Sequence, residues 1–159
     1  MMVSFDTNVL VYATVSTPIS KTMRARDLVV RGMRRGENIL LLQALAEFSS
    51  VAIRKTGIAV DDVRATIDAW RAVLPVQGTE DGDLSDALEA VKNHRLAFWD
   101  AMLWAAAQRA GVRYLLSEDF QDGFELQGVR FVNPFEPAND RLVDEILPRE
   151  RRYDIDSPT

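Results

Sequence analysis

Short apolar runs alternate with longer segments of helical spacing along this chain, and that alternation leaves few folds open. Strands that alternate with helices argue for an α/β domain whose sheet is mainly parallel. Strands are expected over residues 2–6, 38–42, 113–117 and 129–132, with a short edge strand at 74–76 where Pro75 is tolerated. The run Ile39-Leu40-Leu41-Leu42 has no polar alternation, as a parallel strand covered on both faces requires. Residues 8–13 continue apolar after the first strand and should form a loop or helix packed on the sheet. Residues 17–20 read as a break, with Ser20 as the N-cap of a helix over 21–34 that stops at Gly36. Further helices are expected over 43–55, ending at Gly57, and after Asp61 and Asp62, where Val63, Ile67, Ala69, Trp70 and Val73 would be buried. Asp83 or Ser85 should cap the next helix, which runs through Leu88 and Val91. The segment 98–110 is the most apolar helix and should be central, and 140–147 is a short last helix. The expected architecture is a mainly parallel central sheet flanked by helices on both faces, three layers in all. Residues 149–159 read as a charged tail.

The 159 residues suffice for one domain with a full core. There is no cysteine, which excludes disulfides, thiolate zinc sites and cysteine nucleophiles. The single histidine, His94, lies in the polar run Lys92-Asn93-His94-Arg95 and reads as a surface residue. A two-histidine ribonuclease mechanism and a histidine-rich zinc site are therefore excluded. The N-terminus lacks a basic leader, Asp6 and Asn8 break its apolar run, and no stretch approaches a membrane span. A cytoplasmic protein without membrane contact is expected. The net charge of −5 argues against a protein that holds nucleic acid by bulk charge. It leaves room for an enzyme that meets phosphates through bound metal and a local basic strip.

Four acidic residues interrupt apolar context. Asp6 ends the first expected strand, Glu47 lies inside Leu45-Ala46-Glu47-Phe48, Asp100 follows Phe98-Trp99, and Asp119 follows Leu115-Leu116-Ser117-Glu118. An unpaired buried carboxylate costs several kcal/mol, so such groups are neutralised, paired or metal-bound. Asp6 and Asp119 each sit just past the C-terminal end of an expected strand, the edge where open α/β sheets place their sites. Glu47 falls early in the helix after the second strand, and Asp100 in or near the first turn of its helix. All four are thus able to face one edge, and their mutual repulsion would call for a cation. Oxygen-only ligation suits Mg²⁺ or Mn²⁺. Two such ions about 4 Å apart activate a water and stabilise the leaving oxygen of a phosphodiester.

Ser4-Phe5-Asp6-Thr7-Asn8-Val9-Leu10 resembles the opening motif of the PIN-domain ribonucleases. Glu47 in Leu45-Ala46-Glu47-Phe48, Asp100 in Phe98-Trp99-Asp100-Ala101-Met102-Leu103 and Asp119 in Leu116-Ser117-Glu118-Asp119-Phe120 follow in the family's order. The resemblance covers about residues 1–135, a PIN-like nuclease domain, and leaves 136–159 as a C-terminal helix and charged tail. It implies metal-dependent endonucleolytic cleavage of RNA by water attack. It carries over Asp6, Glu47, Asp100 and Asp119 as catalytic carboxylates, with Asp6, Asp100 and Asp119 on metal. Thr7, Asn8 and Ser117 would be supporting polar groups. The segment Ser117-Glu118-Asp119-Phe120-Gln121-Asp122 offers three carboxylates, so Asp122 or Glu118 could replace or assist Asp119. Small members are similar to VapC-type toxins, which implies a small antitoxin partner and an RNA substrate.

Other readings compete. The basic run Lys21, Arg24, Arg26, Arg31, Arg34 and Arg35 could track an RNA backbone, but a solvated helix face is the favoured reading. Trp70, Trp99 and Trp104 read as core or interface, although Trp99 and Trp104 border Asp100. Apolar Leu28, Val29, Val51, Ile58 and Val60, read as exposed, make a homodimer plausible. A haloacid-dehalogenase-type phosphatase needs a second aspartate where Asn8 stands, and a phosphate receiver needs a late lysine where none follows Lys92. A non-catalytic RNA- or protein-binding domain of the same fold is the main alternative to the ribonuclease.

Overall fold

The computed structural model describes residues 1–15 and 18–149. Strand β1 (Val3–Phe5) lies in a four-stranded sheet with β4 (Tyr114–Leu116), β6 (Val129–Val132) and β5 (Glu125–Leu126), in the order β1-β4-β6-β5. β1, β4 and β6 are parallel, and β5 closes the edge antiparallel to β6. Gln127 and Gly128 form the two-residue turn between β5 and β6 with φ of 46° and 84°, the left-handed pair that tight hairpins need. A second parallel pair, β2 (Leu40–Leu41) with β3 (Val76–Gln77), continues past β1: Ile39 donates its amide to the Val3 carbonyl at 3.3 Å. Asn38 completes the join, accepting from the Val3 amide at 3.0 Å and donating to the Gly32 carbonyl at 2.9 Å.

Among the described residues seven α-helices flank this mainly parallel sheet in the three-layer α/β/α arrangement: α1 (Thr7–Thr14), α2 (Ile19–Arg35), α3 (Leu42–Lys55), α4 (Val60–Arg71), α5 (Asp81–His94), α6 (Phe98–Arg109) and α7 (Asp140–Ile146). α6 is the central one, with every residue from 101 to 107 buried. Its alanines let neighbours approach closely, and the Trp104 indole donates to the Leu126 carbonyl at 3.1 Å. α2 ends at Gly36, whose φ of 64° is the left-handed stop expected of it. Among the described residues no helix is long and apolar enough to cross a membrane.

Several local expectations are corrected. α2 begins at Ile19 with Pro18 as its N-cap, so Ser20 lies inside the helix. α5 begins at Asp81 after Glu80, so neither Asp83 nor Ser85 is its cap. Asp83 closes the capping box with that N-cap, accepting from the Glu80 amide at 2.8 Å, and is bridged by Arg109 of α6. Ala69 and Val73 are exposed, and Leu74 takes the buried position. Leu28 and Val29 are core residues and offer nothing to a partner surface.

Three residues of the basic row of α2, Arg24, Arg31 and Arg35, are tied to the α7 region, while Arg26 and Arg34 are exposed on the helix face as expected. Arg31, only 5% exposed, pairs with Asp27 and with Asp144 of α7 and donates to the Leu147 carbonyl at 3.1 Å. Arg24 pairs with Asp140 at 2.8 Å, and Arg35 donates to the Ile146 carbonyl at 3.2 Å. These three dock α7. Thr17 and the tail from residue 150 onward lie outside the described residues.

Candidate active site

Parallel register brings the first acidic residues together. Phe5 pairs with Leu116, so the next residues, Asp6 and Ser117, emerge side by side at the C-terminal edge of the sheet. The Asp6 amide donates back to the Leu116 carbonyl at 2.9 Å, which fixes the strand end. Asp6 then caps α1, accepting from the Thr7 amide through Oδ1 at 2.6 Å. Its Oδ2 accepts from the Ser117 hydroxyl at 2.6 Å and from Asn8 Nδ2 at 3.2 Å. Asn8 Nδ2 also reaches Ser117 Oγ and Asp119 Oδ2, each at 3.0 Å. Asp119 is held further by its own amide, which donates to Ser117 Oγ at 3.1 Å.

The other side of the edge comes from α3 and α6. α3 starts directly after β2, which places Glu47 in its second turn. Thr7 Oγ1 donates to Glu47 Oε2 at 3.3 Å and to the Ala44 carbonyl at 3.3 Å, which links α1 to α3. Asp100 stands in the first turn of α6, after its N-cap Ala97. Gln43 spans the gap: its Nε2 donates to Glu47 Oε1 and to the Trp99 carbonyl, both at 2.8 Å.

Not all four carboxylates are buried, as the apolar context of each suggests. Asp6 is 6% exposed and Asp100 half-buried, while Glu47 and Asp119 stand at the exposed rim. Burial, before all else, pushes the Asp6 carboxyl up to about 6. Ser117 and Thr7 oppose that rise, and the charges of Asp119 and Glu47 add to it. Asp100 is likewise raised, first by burial, then by Asp119 and Glu47. The four groups therefore feel one another. Among the described residues none is ion-paired with a lysine or arginine.

Two nearby carboxylates belong to other tasks. Glu118 is bridged by Lys21 and accepts from the Tyr12 hydroxyl at 2.6 Å. Asp122 accepts from the Asn133 amide at 2.8 Å and from Asn139 Nδ2 at 2.9 Å, outside the Asp6 network. Sequence reasoning passed over Gln43 and Tyr12. Gln43 precedes Glu47 by four residues, the spacing that puts them on one helix face, and that was the available signal.

The donor set is all oxygen, with no cysteine in the chain and its only histidine on α5. That chemistry fits a hard divalent cation. Among the described residues no three acidic or imidazole groups are gathered closely enough to hold a metal ion together. A cation that keeps most of its water needs only one or two carboxylates at a time, so an open carboxylate rim is compatible with it.

Among curated proteins, none is detectably similar in sequence. Solved structures share the fold at low identity. The toxin VapC20 of Mycobacterium tuberculosis, described as cleaving the sarcin-ricin loop, aligns with a TM-score of 0.58 and 17% identity over 71% of this chain and 86% of its own. A toxin–antitoxin complex from Klebsiella pneumoniae gives 0.60 and 19% over 84% and 98%. FitAB bound to an IR36 DNA fragment gives 0.60 and 17% over 85% and 96%. The family model of the PIN domain matches residues 3–124, which span every strand end and helix that supplies the four carboxylates. The chain belongs to the PIN domain family.

Proposed function

We propose that this protein is a Mg²⁺- or Mn²⁺-dependent endoribonuclease, the toxin of a toxin–antitoxin pair. The observation that carries the reading is a set of carboxylates from four elements that repel one another, two of them held above their ordinary protonation range, with no cationic side chain among them. A divalent cation bound there would neutralise the repulsion, activate a water and stabilise the charge that develops on a phosphodiester.

Asp6, Asp100 and Asp119 would hold the cation, with Glu47 as the fourth carboxylate of the rim. Ser117 and the Thr7 amide hold the Asp6 oxygens in place, and they favour the ionised form that a metal needs. Asn8 keeps Asp119 beside Asp6 through a single amide group. Thr7 and Gln43 orient the two oxygens of Glu47 from opposite sides. These contacts support residue roles that resemble those of an acidic metal nuclease.

The toxin assignment draws on the kinds of protein that share the fold. The proposed partners are an RNA substrate, a small antitoxin that blocks the acidic edge, and a second copy of this chain. An antitoxin arginine would pair well with carboxylates that lack a cation of their own.

The test is cleavage of RNA by purified protein with Mg²⁺ or Mn²⁺, with excess EDTA, and by Asp6→Asn. Cleavage with metal only, and none by a folded Asp6→Asn, is expected. Equal cleavage in excess EDTA would overturn the metal mechanism. For the toxin assignment, wild type should arrest growth on expression and Asp6→Asn should not.

A further inference from the structure

Trp99 is an exposed indole beside the acidic edge that the residue roles above leave unused. Trp70 and Trp104 are buried, whereas Trp99 is 64% exposed. A large aromatic surface left in water next to a site has the character of a contact waiting for a partner. Trp99 directly precedes Asp100 in the first turn of α6. Its carbonyl accepts from the same Gln43 Nε2 that donates to Glu47, so the Trp99 backbone is tied to a rim carboxylate. The Phe98 ring lies against the indole edge-to-face, with centroids 5.2 Å apart.

We infer that Trp99 is a stacking platform for an unpaired nucleobase next to the phosphodiester at the carboxylates, held there by Gln43. The inference rests on the nuclease reading and names its substrate class: single-stranded or looped RNA. The adjoining carboxylate rim, where the phosphodiester would sit, points to an RNA base as the occupant. The chain carries a net charge of −5, and Lys21, Arg24, Arg31 and Arg35 of α2 are engaged with Glu118 and the α7 region. They are not at hand to track phosphates. Affinity for RNA must then come from sources other than that row. Base–aromatic stacking supplies it without regard to sequence, and only when the base is free of a duplex. Gln43 links the two places, because one amide nitrogen donates to the Trp99 carbonyl and to Glu47 Oε1.

The test uses Asp6→Asn without metal, so that RNA binds and is not consumed. With two indoles buried, quenching of tryptophan fluorescence reports Trp99. The probes are a short unstructured oligoribonucleotide, the same strand annealed to its complement, and an abasic strand of equal charge. Quenching by the single strand alone is expected. Adding Trp99→Ala should weaken binding of that strand roughly five- to hundred-fold, and Trp99→Tyr should restore much of it. Equal binding of the single and abasic strands would overturn the platform. So would unchanged RNA affinity in Trp99→Ala, including the case where that variant instead splits a dimer in sedimentation. If the single strand quenches Trp99 but wild type with metal cuts nothing, the nuclease reading fails and the platform stands. If wild type cuts RNA and Trp99→Ala cuts it with the same KM, the platform alone fails.

Discussion

Replacing Asp6 by asparagine should make the metal-free protein more stable at neutral pH. The folded protein raises the Asp6 carboxyl from 3.8 to about 6. A rise of that size corresponds to roughly 3 kcal/mol held against folding once the group is ionised. The folded state keeps the Asp6 proton across an interval where the unfolded chain has released it. Wild type therefore loses stability as pH rises from about 4 to 6, and the variant does not. Asparagine retains an oxygen for the Thr7 amide, but Ser117 Oγ already accepts from Asn8 and from the Asp119 amide and has no lone pair for a third donor. The new amide group therefore meets donors at both Asn8 and Ser117, which together cost about 2 kcal/mol. The net gain is about 1 kcal/mol at pH 7, or a rise of about 2–4 °C in Tm for a chain of this length. Thermal unfolding of both proteins in EDTA from pH 4 to 7.5 measures it. The gap should favour wild type by about 1 kcal/mol at pH 4, change sign as pH rises, and reach its full size above pH 6. A variant less stable than wild type at pH 7, or a gap that does not change with pH, would refute the reasoning.

Other expectations follow from packing and pairing. In Gly32→Ala the new Cβ would lie 2.7 Å and 2.8 Å from two ring carbons of the fully buried Phe5. The urea midpoint should fall by an amount worth about 1–3 kcal/mol. Arg31→Ala strands the Leu147 carbonyl and frees two half-exposed carboxylates, at a cost of about 2–4 kcal/mol. Arg24→Ala removes a pair whose partner Asp140 is well exposed, along with one bond to the Pro134 carbonyl, and should cost about 1–2 kcal/mol, so the order of the two urea midpoints is the check. Arg109→Met leaves Asp83, 1% exposed, without its cation, and should cost about 3–5 kcal/mol. Arg109 holds the Asp83 carboxyl below its usual range, so the pair stabilises at neutral pH and fades as pH falls below about 4. Wild type and Arg109→Met should therefore converge in acid.

What the sequence made legible is what local pattern decides. The apolar runs that end at Asp6 and at Ser117 announce strands and the edge where their acidic neighbours lie. The alanine-rich apolar run of α6 announces a central helix. Part of what was misread traces to partners distant in sequence. Arg31 reads as a surface charge because Asp144, 113 residues later, is invisible to any local window. Asp83 does share in capping α5, through the Glu80 amide, but its pairing with Arg109, 26 residues later, lies beyond a local window. β5 is two residues long with an exposed Glu125, too short for a period to register. At the candidate site, the positions of Asp6 and Asp119 past strand ends were legible. Gln43 was not, because its role arises only where α3 meets the start of α6. The burial of the acidic residues was overread: Glu47 and Asp119 sit in apolar sequence context yet reach water at the rim.

The central claim is that Asp6, Glu47, Asp100 and Asp119 act as one cation site. A Mn²⁺ titration at pH 7, following the free ion by electron paramagnetic resonance, tests it most directly. Wild type should take up Mn²⁺ in competition with Mg²⁺, and Asp6→Asn and Asp100→Asn should each lose most of that uptake while remaining folded. Uptake by both variants at the wild-type level would contradict the account.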